Sequence, residues 1–119
     1  FSTTLISVKD TSGRYEFVNP RFEQMLRQVT GLGAGDILGK TDQQVFPPDI
    51  ARSFRERDLD VLRTGEASEI REVLPISGEP VHFIALRFPM MSDDGVITAV
   101  CTKLVDISRL AGELGSASH

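Results

Sequence analysis

The sequence predicts an α+β domain in which a five-stranded antiparallel sheet carries short helices packed on one face. Apolar residues alternate with a period of two near the beginning and over the last third of the chain. The middle of the chain carries helical spacing and helix-capping residues instead. The length of 119 residues suits one domain with one core. Strands at both ends of a helical middle therefore predict helices on one face of an antiparallel sheet.

Two short strands and a helix open the chain. Residues 5–9 and 15–18 alternate in polarity, and the turn DTSG between them predicts a hairpin. Asn19 is a good helix N-cap, and Pro20 suits the first helical turn. Apolar residues then recur at helical spacing as far as Val29, so we expect a helix directly after the hairpin.

The middle of the chain predicts short helical pieces before one long helix. Glycines in residues 31–39 predict a loop that holds a single helical turn. Thr41 and Gln44 have the spacing of a capping box, which predicts a brief helix. A longer helix is predicted over residues 48–63, because prolines precede it and Gly65 is placed to end it.

The last third of the chain predicts three further strands, because the apolar period changes from helical to two after the long helix. The sequences SG and SDDG between them predict hairpin turns. The predicted strands are residues 69–74, 81–88 and 96–105.

These elements fill residues 5–108, which we predict to be one domain. Residues 1–4 are predicted to be an N-terminal flank. Residues 109–119 are predicted to be the start of a linker or output segment, or a tail, because they are rich in glycine, serine and alanine. Because the chain begins at Phe1, we expect it to be a module of a longer protein.

Charge and cysteine content argue against several functional classes. The net charge is 13 − 17 = −4 with both signs interspersed, so we expect no nucleic-acid partner. No apolar stretch has the length of a membrane span, so we expect no membrane contact by this segment. Cys101 is the single cysteine, which favours a reducing, cytoplasmic location. The sequence has no phosphate-binding loop, nucleophile–base order or metal-ligand cluster, so we expect a non-catalytic domain without a metal site.

Several motifs occur in an order that resembles one known family. They are VKDTSGRYEFVNPRFEQML, GKTDQQVFP, RERDLDVLRTGE, SGEPVHFIALRFPM, the turn SDDG and the terminal Asp106, Ile107 and Ser108. Together they resemble a PAS domain, a small sensor module of bacterial signalling proteins, of the subgroup with a GKTD…FP centre. The resemblance implies a pocket between sheet and helices, which in some members holds haem, flavin or a metabolite and in others is only a core. It also implies that Asp106, Ile107 and Ser108 form the signal output, where the core meets the output helix.

The sequence fits neither haem nor flavin. In haem-binding PAS domains the ligand is usually a histidine on the long helix, whereas the histidines here are His82 and His119. Flavin photochemistry of the LOV kind needs a cysteine where Asp42 stands, and amide side chains at three pocket places. Apolar residues, which would leave the polar edge of a flavin unpaired, take those places: Val73, Phe83 and Leu104. We therefore expect no cofactor, with an unidentified small ligand as the open alternative.

Asp58 falls inside the apolar arc of the long helix, where a carboxylate needs a partner. Arg87 alternates with Phe83 toward the helical side, so we predict an Asp58–Arg87 pair across the pocket. Two alternatives stay open: Arg87 presented to an anionic ligand, or Asp58 at the edge of the arc, bound to water or backbone. The predicted pocket residues are Phe54, Asp58, Phe83, Arg87, Val100, Thr102 and Leu104.

The last strand is apolar on both of its faces. The residues predicted to face the helices include Val96, Val100 and Leu104. The residues predicted to face outward, which we call the dimer face, are Ile97, Ala99, Cys101 and Val105. An outward apolar stripe needs a cover, so we predict a homodimer, with a terminal segment folded over the sheet as the alternative. Within this stripe we expect Cys101 to be a buried structural thiol, and a redox sensor is the alternative.

These expectations combine into one functional prediction. We expect a sensory or regulatory module of a bacterial signalling protein, such as a histidine kinase or a cyclic-nucleotide enzyme. It would sense through a small pocket or a dimer interface and pass the change to a C-terminal effector domain of the same chain. The alternative is a ligand-free scaffold for dimerisation.

Overall fold

The computed structural model describes residues 4–108, so the predicted flank and C-terminal segment lie outside the described residues except for Thr4. Nine elements follow one another within that range. They are β1 (Leu5–Asp10), β2 (Tyr15–Val18), α1 (Pro20–Thr30), α2 (Ala34–Ile37), α3 (Asp42–Val45), α4 (Pro48–Thr64), β3 (Ser68–Ile76), β4 (Glu79–Met91) and β5 (Ile97–Asp106).

The five strands form one sheet in the order β2-β1-β5-β4-β3, and all neighbouring strands are antiparallel. The last strand among the described residues, β5, therefore lies at the centre, between β1 and β4. Helices α1 and α4 pack against these strands. The predicted α+β class, with its five-stranded antiparallel sheet, is confirmed.

Asn19 begins α1 and also ties it to the first strand. Its side-chain oxygen accepts from the backbone N–H of Phe22 at 2.9 Å, as expected of an N-cap, and from that of Ile6 at 3.0 Å. Its side-chain nitrogen donates to the carbonyl of Thr4 at 2.9 Å. One asparagine therefore fixes the helix start against β1.

The capping signals in the middle of the chain are also confirmed. Gln44 accepts from the backbone N–H of Thr41 at 2.9 Å, which closes the predicted capping box of α3. Gly65 adopts a left-handed φ of 69° and ends α4, a conformation that side chains other than glycine rarely adopt. These signals are local, which is why the sequence locates them well.

Strands β3 and β4 run further toward their common turn than the sequence predicts. Ser77 and Gly78 form a two-residue turn with φ of 53° and 80°, and this geometry lets the ladder continue up to the turn. Pro75 and Pro80 face each other in this extension. Prolines are tolerated there because β3 is an edge strand and β4 pairs with β5 only from Phe83 onward.

Val96 lies in the turn before β5, and the prediction that it faces the helices is wrong. Its side chain is 56% exposed, and its carbonyl accepts from the backbone N–H of Ser92 at 2.9 Å. Gly95, with a φ of 82°, completes this turn. The turn therefore uses one residue more than the SDDG pattern suggests, and β5 begins at Ile97.

The core lies between the helices and the inner face of the sheet. Four aromatic rings form a row through it, with successive ring centroids 5.9, 6.4 and 5.4 Å apart. These rings belong to Tyr15, Phe22, Phe46 and Phe54. The row borders a group of buried charges, which is the most unusual feature of the interior.

Candidate functional site

Asp58 and Arg87 meet on the inner side of the sheet. Asp58 lies on α4 and Arg87 on β4, and Nε of the arginine is 3.4 Å from Oδ1 of the aspartate. The two side chains are only 2% and 1% exposed. The contact that we predicted across the interior is therefore present, as one link in a larger group of charges.

Glu72 on β3 holds the other end of Arg87. Its carboxylate accepts from both terminal nitrogens of the guanidinium, at 3.3 Å for Nη2. Such a two-pronged contact matches the fork of a guanidinium to a carboxylate. Arg87 is thus held by two carboxylates in this structure and is not left open to an anionic ligand.

Glu72 is not among the residues predicted from the sequence, which places Val73 at the pocket instead. Val73 pairs with His82 and is 49% exposed, so that assignment is wrong. The physical reason is the strand period, because an error of one residue turns a side chain to the opposite face. The inward alternation of Glu72 and Leu74 is the signal that could have found the residue.

Lys9 links Asp58 to a second buried aspartate. Its Nζ lies 2.6 Å from Oδ2 of Asp58 and 2.7 Å from Oδ2 of Asp42. Lys9 points inward because β1 alternates, with Leu5 and Ser7 buried on the same face. Lys9 is not among the residues predicted from the sequence, because its partners lie on helices far along the chain.

Tyr15 completes the contacts of Asp42, because its hydroxyl donates a hydrogen bond to the carboxylate. Burial and then the charge of Asp42 raise the pKa of Tyr15 well above its usual value, so the phenol stays protonated as a donor. The ring of Phe54 lies 5.6 Å from Nζ of Lys9 and 5.8 Å from Cζ of Arg87. Both cations therefore also contact an aromatic ring.

We call the five buried charged residues the inner charge cluster. Its members are Lys9, Asp42, Asp58, Glu72 and Arg87. Two cations and three carboxylates give a formal charge of 2 − 3 = −1, and each residue is exposed by 7% or less. They come from five elements: β1, α3, α4, β3 and β4. Each charge depends on its neighbours, because a buried charge without a partner is strongly destabilising.

A cavity of about 10 Å³, the space of roughly one water molecule, lies beside the cluster. It is lined by Ser7, Lys9, Tyr15, Phe22, Phe54, Arg87, Thr102 and Leu104. The hydroxyl of Thr102 has no hydrogen-bond partner among the described residues, so the wall offers a polar group. Four of the predicted pocket residues line the cavity: Phe54, Arg87, Thr102 and Leu104. Asp58 contacts its two cations, whereas Phe83 and Val100 are buried without lining it.

The predicted output residues are tied to β4. The backbone N–H of Ile107 donates to the carbonyl of His82 at 2.8 Å. The N–H of His82 donates in turn to the hydroxyl of Ser108 at 2.8 Å, and Asp106 accepts from the N–H of Ser108 at 2.8 Å. The segment after β5 is therefore fastened to the strand that carries Arg87.

The outer face of the sheet is apolar across its three central strands. The members of this outer sheet face are Ile6, Val8, Ile84, Leu86, Phe88, Met90, Ala99, Cys101 and Val105. The prediction that Ile97 belongs to the dimer face is wrong, because the register of β5 against β4 shifts between Met90 and Met91 and the Cδ1 of Ile97 lies beside Gly65 at the end of α4. Ala99 and Cys101 are themselves only 4% and 7% exposed, because their small side chains lie between larger neighbours. Lys103 crosses the face with its Nζ 5.7 Å from the ring of Phe88. Burial raises the pKa of Cys101, which favours a structural thiol over a reactive one.

A metal site and a membrane-spanning helix each set geometric requirements on residues 4–108. Within that range no three histidine, cysteine, aspartate or glutamate side chains are grouped so that they could hold a metal ion. None of the helices described there has the length and apolar character needed to cross a bilayer.

The fold and this site define a small α+β domain in which a five-stranded sheet and four helices enclose a charged core. The family model described as PAS fold matches residues 2–112 of the chain. The chain therefore belongs to the PAS family, which confirms the resemblance to a PAS domain, and the GKTD…FP subgroup stays a prediction.

Two known relatives match 69% or more of this chain. The methanogenesis regulatory histidine kinase FilI of Methanothrix harundinacea is 32% identical over 107 residues, which are 87% of this chain and 11% of FilI. Protein y4lL of Sinorhizobium fredii is 30% identical over 82 residues, 69% of this chain and 9% of that protein. The chain thus spans about a tenth of the length of these relatives.

Solved structures share the fold at lower identity. The PAS domain of Bordetella pertussis BvgS has a TM-score of 0.78 at 22% identity, covering 98% of this chain and 88% of that one. The Vibrio cholerae VqmA dimer has a TM-score of 0.77 at 22% identity, covering 90% of this chain and 47% of that one. At these identities the likeness shows the fold alone.

Proposed function

We propose that this chain is a sensory module of a signalling protein of the histidine kinase class. It would bind a small polar ligand at the inner charge cluster and pass the change to a C-terminal effector of the same chain. The domain itself would carry no catalytic activity, and its setting would be cytoplasmic. The relationship to a regulatory histidine kinase supports the class of parent protein.

The observation that carries this proposal is the path from the cluster to the end of the domain. Arg87 and His82 lie on the same strand, β4. Arg87 contacts Asp58 on α4, and the backbone of His82 forms hydrogen bonds with Ile107 and Ser108. A ligand that enlarges the cavity between Phe54 of α4 and Arg87 of β4 would shift α4 against β4, and the output residues are fastened to that strand.

The ligand would have to open the cavity, because the closed form holds roughly one water. Thr102 offers an unpaired hydroxyl there, and Ser7 is another polar residue of the wall. A ligand with both donors and acceptors would satisfy these groups without leaving the cluster charges unpaired. This favours a small polar molecule over an apolar one.

Native mass spectrometry of the purified chain tests the ligand. We expect a small molecule to be retained or taken up by the wild type and to be retained about tenfold less by Thr102→Val, which removes the hydroxyl at constant shape. Thr98→Val is the matched control, since Thr98 lies on the same strand but is exposed. If no small molecule from a metabolite library binds, the proposed ligand-binding function is contradicted and the ligand-free dimerisation scaffold remains.

We expect the purified protein to be colourless. The long helix carries no histidine, and the carboxylate of Asp42 is engaged by Lys9 and Tyr15 where a LOV domain has its cysteine. Phe83 and Leu104 offer a flavin ring no polar partners. An absorption spectrum after expression with haem and riboflavin supplied tests this expectation. A visible band at one chromophore per chain would contradict it.

The second candidate function is dimerisation through the outer sheet face, with a second copy of this chain as the occupant. The face is continuous over β1, β5 and β4, and Met90 on it is 41% exposed. Phe17 extends it onto β2 with 49% exposure. Burying such a surface contributes about 25 cal/mol per Å² of apolar area. VqmA, which shares this fold at 22% identity, is a dimer.

We expect Ala99→Arg to weaken dimerisation by about tenfold or more, because it places a charge on the outer sheet face. Sedimentation over a concentration series measures the change. Thr98→Arg is the control, since it adds the same charge on the neighbouring, exposed residue of β5. Circular dichroism checks that both variants fold. A wild-type chain that stays monomeric at high concentration would contradict this proposal.

A further inference from the structure

A second pocket lies at the surface, where the β1–β2 turn meets α3 and α4. Its volume is about 110 Å³, several times the space of about 10–15 Å³ that one water needs. Its lining residues are Ser12, Gly13, Thr41, Asp42, Gln43 and Arg55. All of them are polar apart from the glycine, so this pocket suits a polar molecule.

Arg55 is the charged group that makes this pocket unusual. Its Nη1 is buried and has no hydrogen-bond partner in the part of the chain that the structure describes. A buried guanidinium N–H without an acceptor is unfavourable, so an acceptor from outside would be stabilising. The guanidinium fork is the protein group that best matches carboxylates and phosphates.

Gly13 makes room for this guanidinium. A Cβ atom at Gly13 would lie 2.8 Å from Nη1 of Arg55, closer than side chains pack. Gly13 also adopts a φ of 85°, which favours glycine. The turn is therefore shaped so that the charged end of Arg55 lies against its backbone.

The carboxylates near the pocket are already engaged elsewhere. Asp42 lines the pocket, but its two oxygens contact Lys9 and Tyr15 on the inner side. Asp10 accepts from the backbone N–H groups of Ser12 and Arg14 at 2.9 Å each. Arg55 forms no ion pair with either of them. A negative charge is therefore missing at a site that offers one half-buried cation and several hydroxyl and amide groups.

We propose that this pocket binds a small oxyanion, either a phosphate or the carboxylate of a small acid, with Arg55 as its charged partner. Thr41, Ser12 and Gln43 would donate to its remaining oxygens. The site is separate from the cavity beside the inner charge cluster, so it stands whether or not that cavity takes a ligand. Because Asp42 lines this pocket and also belongs to the inner charge cluster, the oxyanion would act on the cluster through this residue.

Calorimetric titration of the chain with inorganic phosphate, acetate and succinate tests the proposal, with acetamide as the uncharged probe. We expect binding by phosphate or by the carboxylates and none by acetamide. Arg55→Gln is expected to weaken binding by about tenfold or more. Arg52→Gln is the matched control, since that arginine lies on the same helix with its side chain 68% exposed. Phosphate and carboxylate titrations that differ in affinity identify the preferred source of the oxyanion.

A second variant keeps the test independent of any effect of Arg55 on folding. Gln43→Glu, at an exposed position, supplies a carboxylate within the pocket and is expected to abolish oxyanion binding while Arg55 is intact. Amide chemical shifts should move at Ser12, Gly13 and Gln43 when wild type binds. Failure of every oxyanion to bind at millimolar concentrations overturns the proposal, as does binding that Arg55→Gln leaves unchanged.

Discussion

Asp58→Ala is expected to lower the free energy of unfolding by about 3–5 kcal/mol, because it leaves Arg87 and Lys9 charged, buried and one partner short. Urea denaturation of wild type and variant measures the loss. Asp60→Ala is the control: it lies on the same helix, but its side chain is 57% exposed and pairs only at the surface with Arg63. That change should cost no more than about 1 kcal/mol.

A double-mutant cycle of Asp58→Ala with Arg87→Met separates the pair from the general effect of truncation. We expect a coupling free energy of about 1 kcal/mol or more, since residues that share a buried ion pair do not behave additively. Additive losses would show that the 3.4 Å contact contributes nothing of its own. The predicted pair would then be a consequence of packing and not a cause of stability.

Lys9→Met is expected to destabilise the fold by a similar amount, about 3–5 kcal/mol. Lys9 is the cation between Asp42 and Asp58, at 2.7 and 2.6 Å, and methionine keeps its approximate volume without the charge. The three carboxylates of the inner charge cluster would then share a single cation, Arg87. Thermal and urea unfolding measure the effect, and Lys40→Met, at an exposed position, is the control.

A suppressor distinguishes loss of charge from loss of packing in this variant. Asp42→Asn removes one of the two carboxylates that Lys9→Met leaves behind, and the amide can still accept from Tyr15. We therefore expect the double variant to be more stable than Lys9→Met alone. If Asp42→Asn instead lowers the stability further, the unbalanced negative charge is not what makes Lys9→Met destabilising.

The elements were predictable from the sequence because their signals are local. The Asn19 cap, the Thr41–Gln44 capping box and the glycine stop of α4 each act within a few residues, and the structure contains all three. Strand ends were less predictable, because pairing with a neighbouring strand decides how far a ladder continues. This explains the longer β3 and β4 and the exclusion of Val96 from β5.

The candidate site was predictable only where a period placed a charge among apolar residues. The apolar arc around Asp58 and the strand alternation at Arg87 led to their contact. Asp42 carried no such signal, because its burial depends on β1 and β2 lying beside α3. Glu72 has a local signal, its inward alternation with Leu74, but the prediction places Val73 at the pocket instead. Long-range register, which a single sequence does not reveal, therefore decides the greater part of the cluster.

The central position of β5 has a consequence for the order in which the domain is made on the ribosome. Before β5 emerges, the β1–β2 hairpin and the β3–β4 hairpin are separate pieces that share no strand pairing. Only the last strand joins them, so the whole chain must be synthesised before the sheet and its enclosed charges can close. Non-local pairing of this kind slows folding and leaves apolar strand edges exposed meanwhile. A nascent chain stalled before Ile97 should therefore be a client for chaperones, whereas one stalled well beyond Ser108 should not.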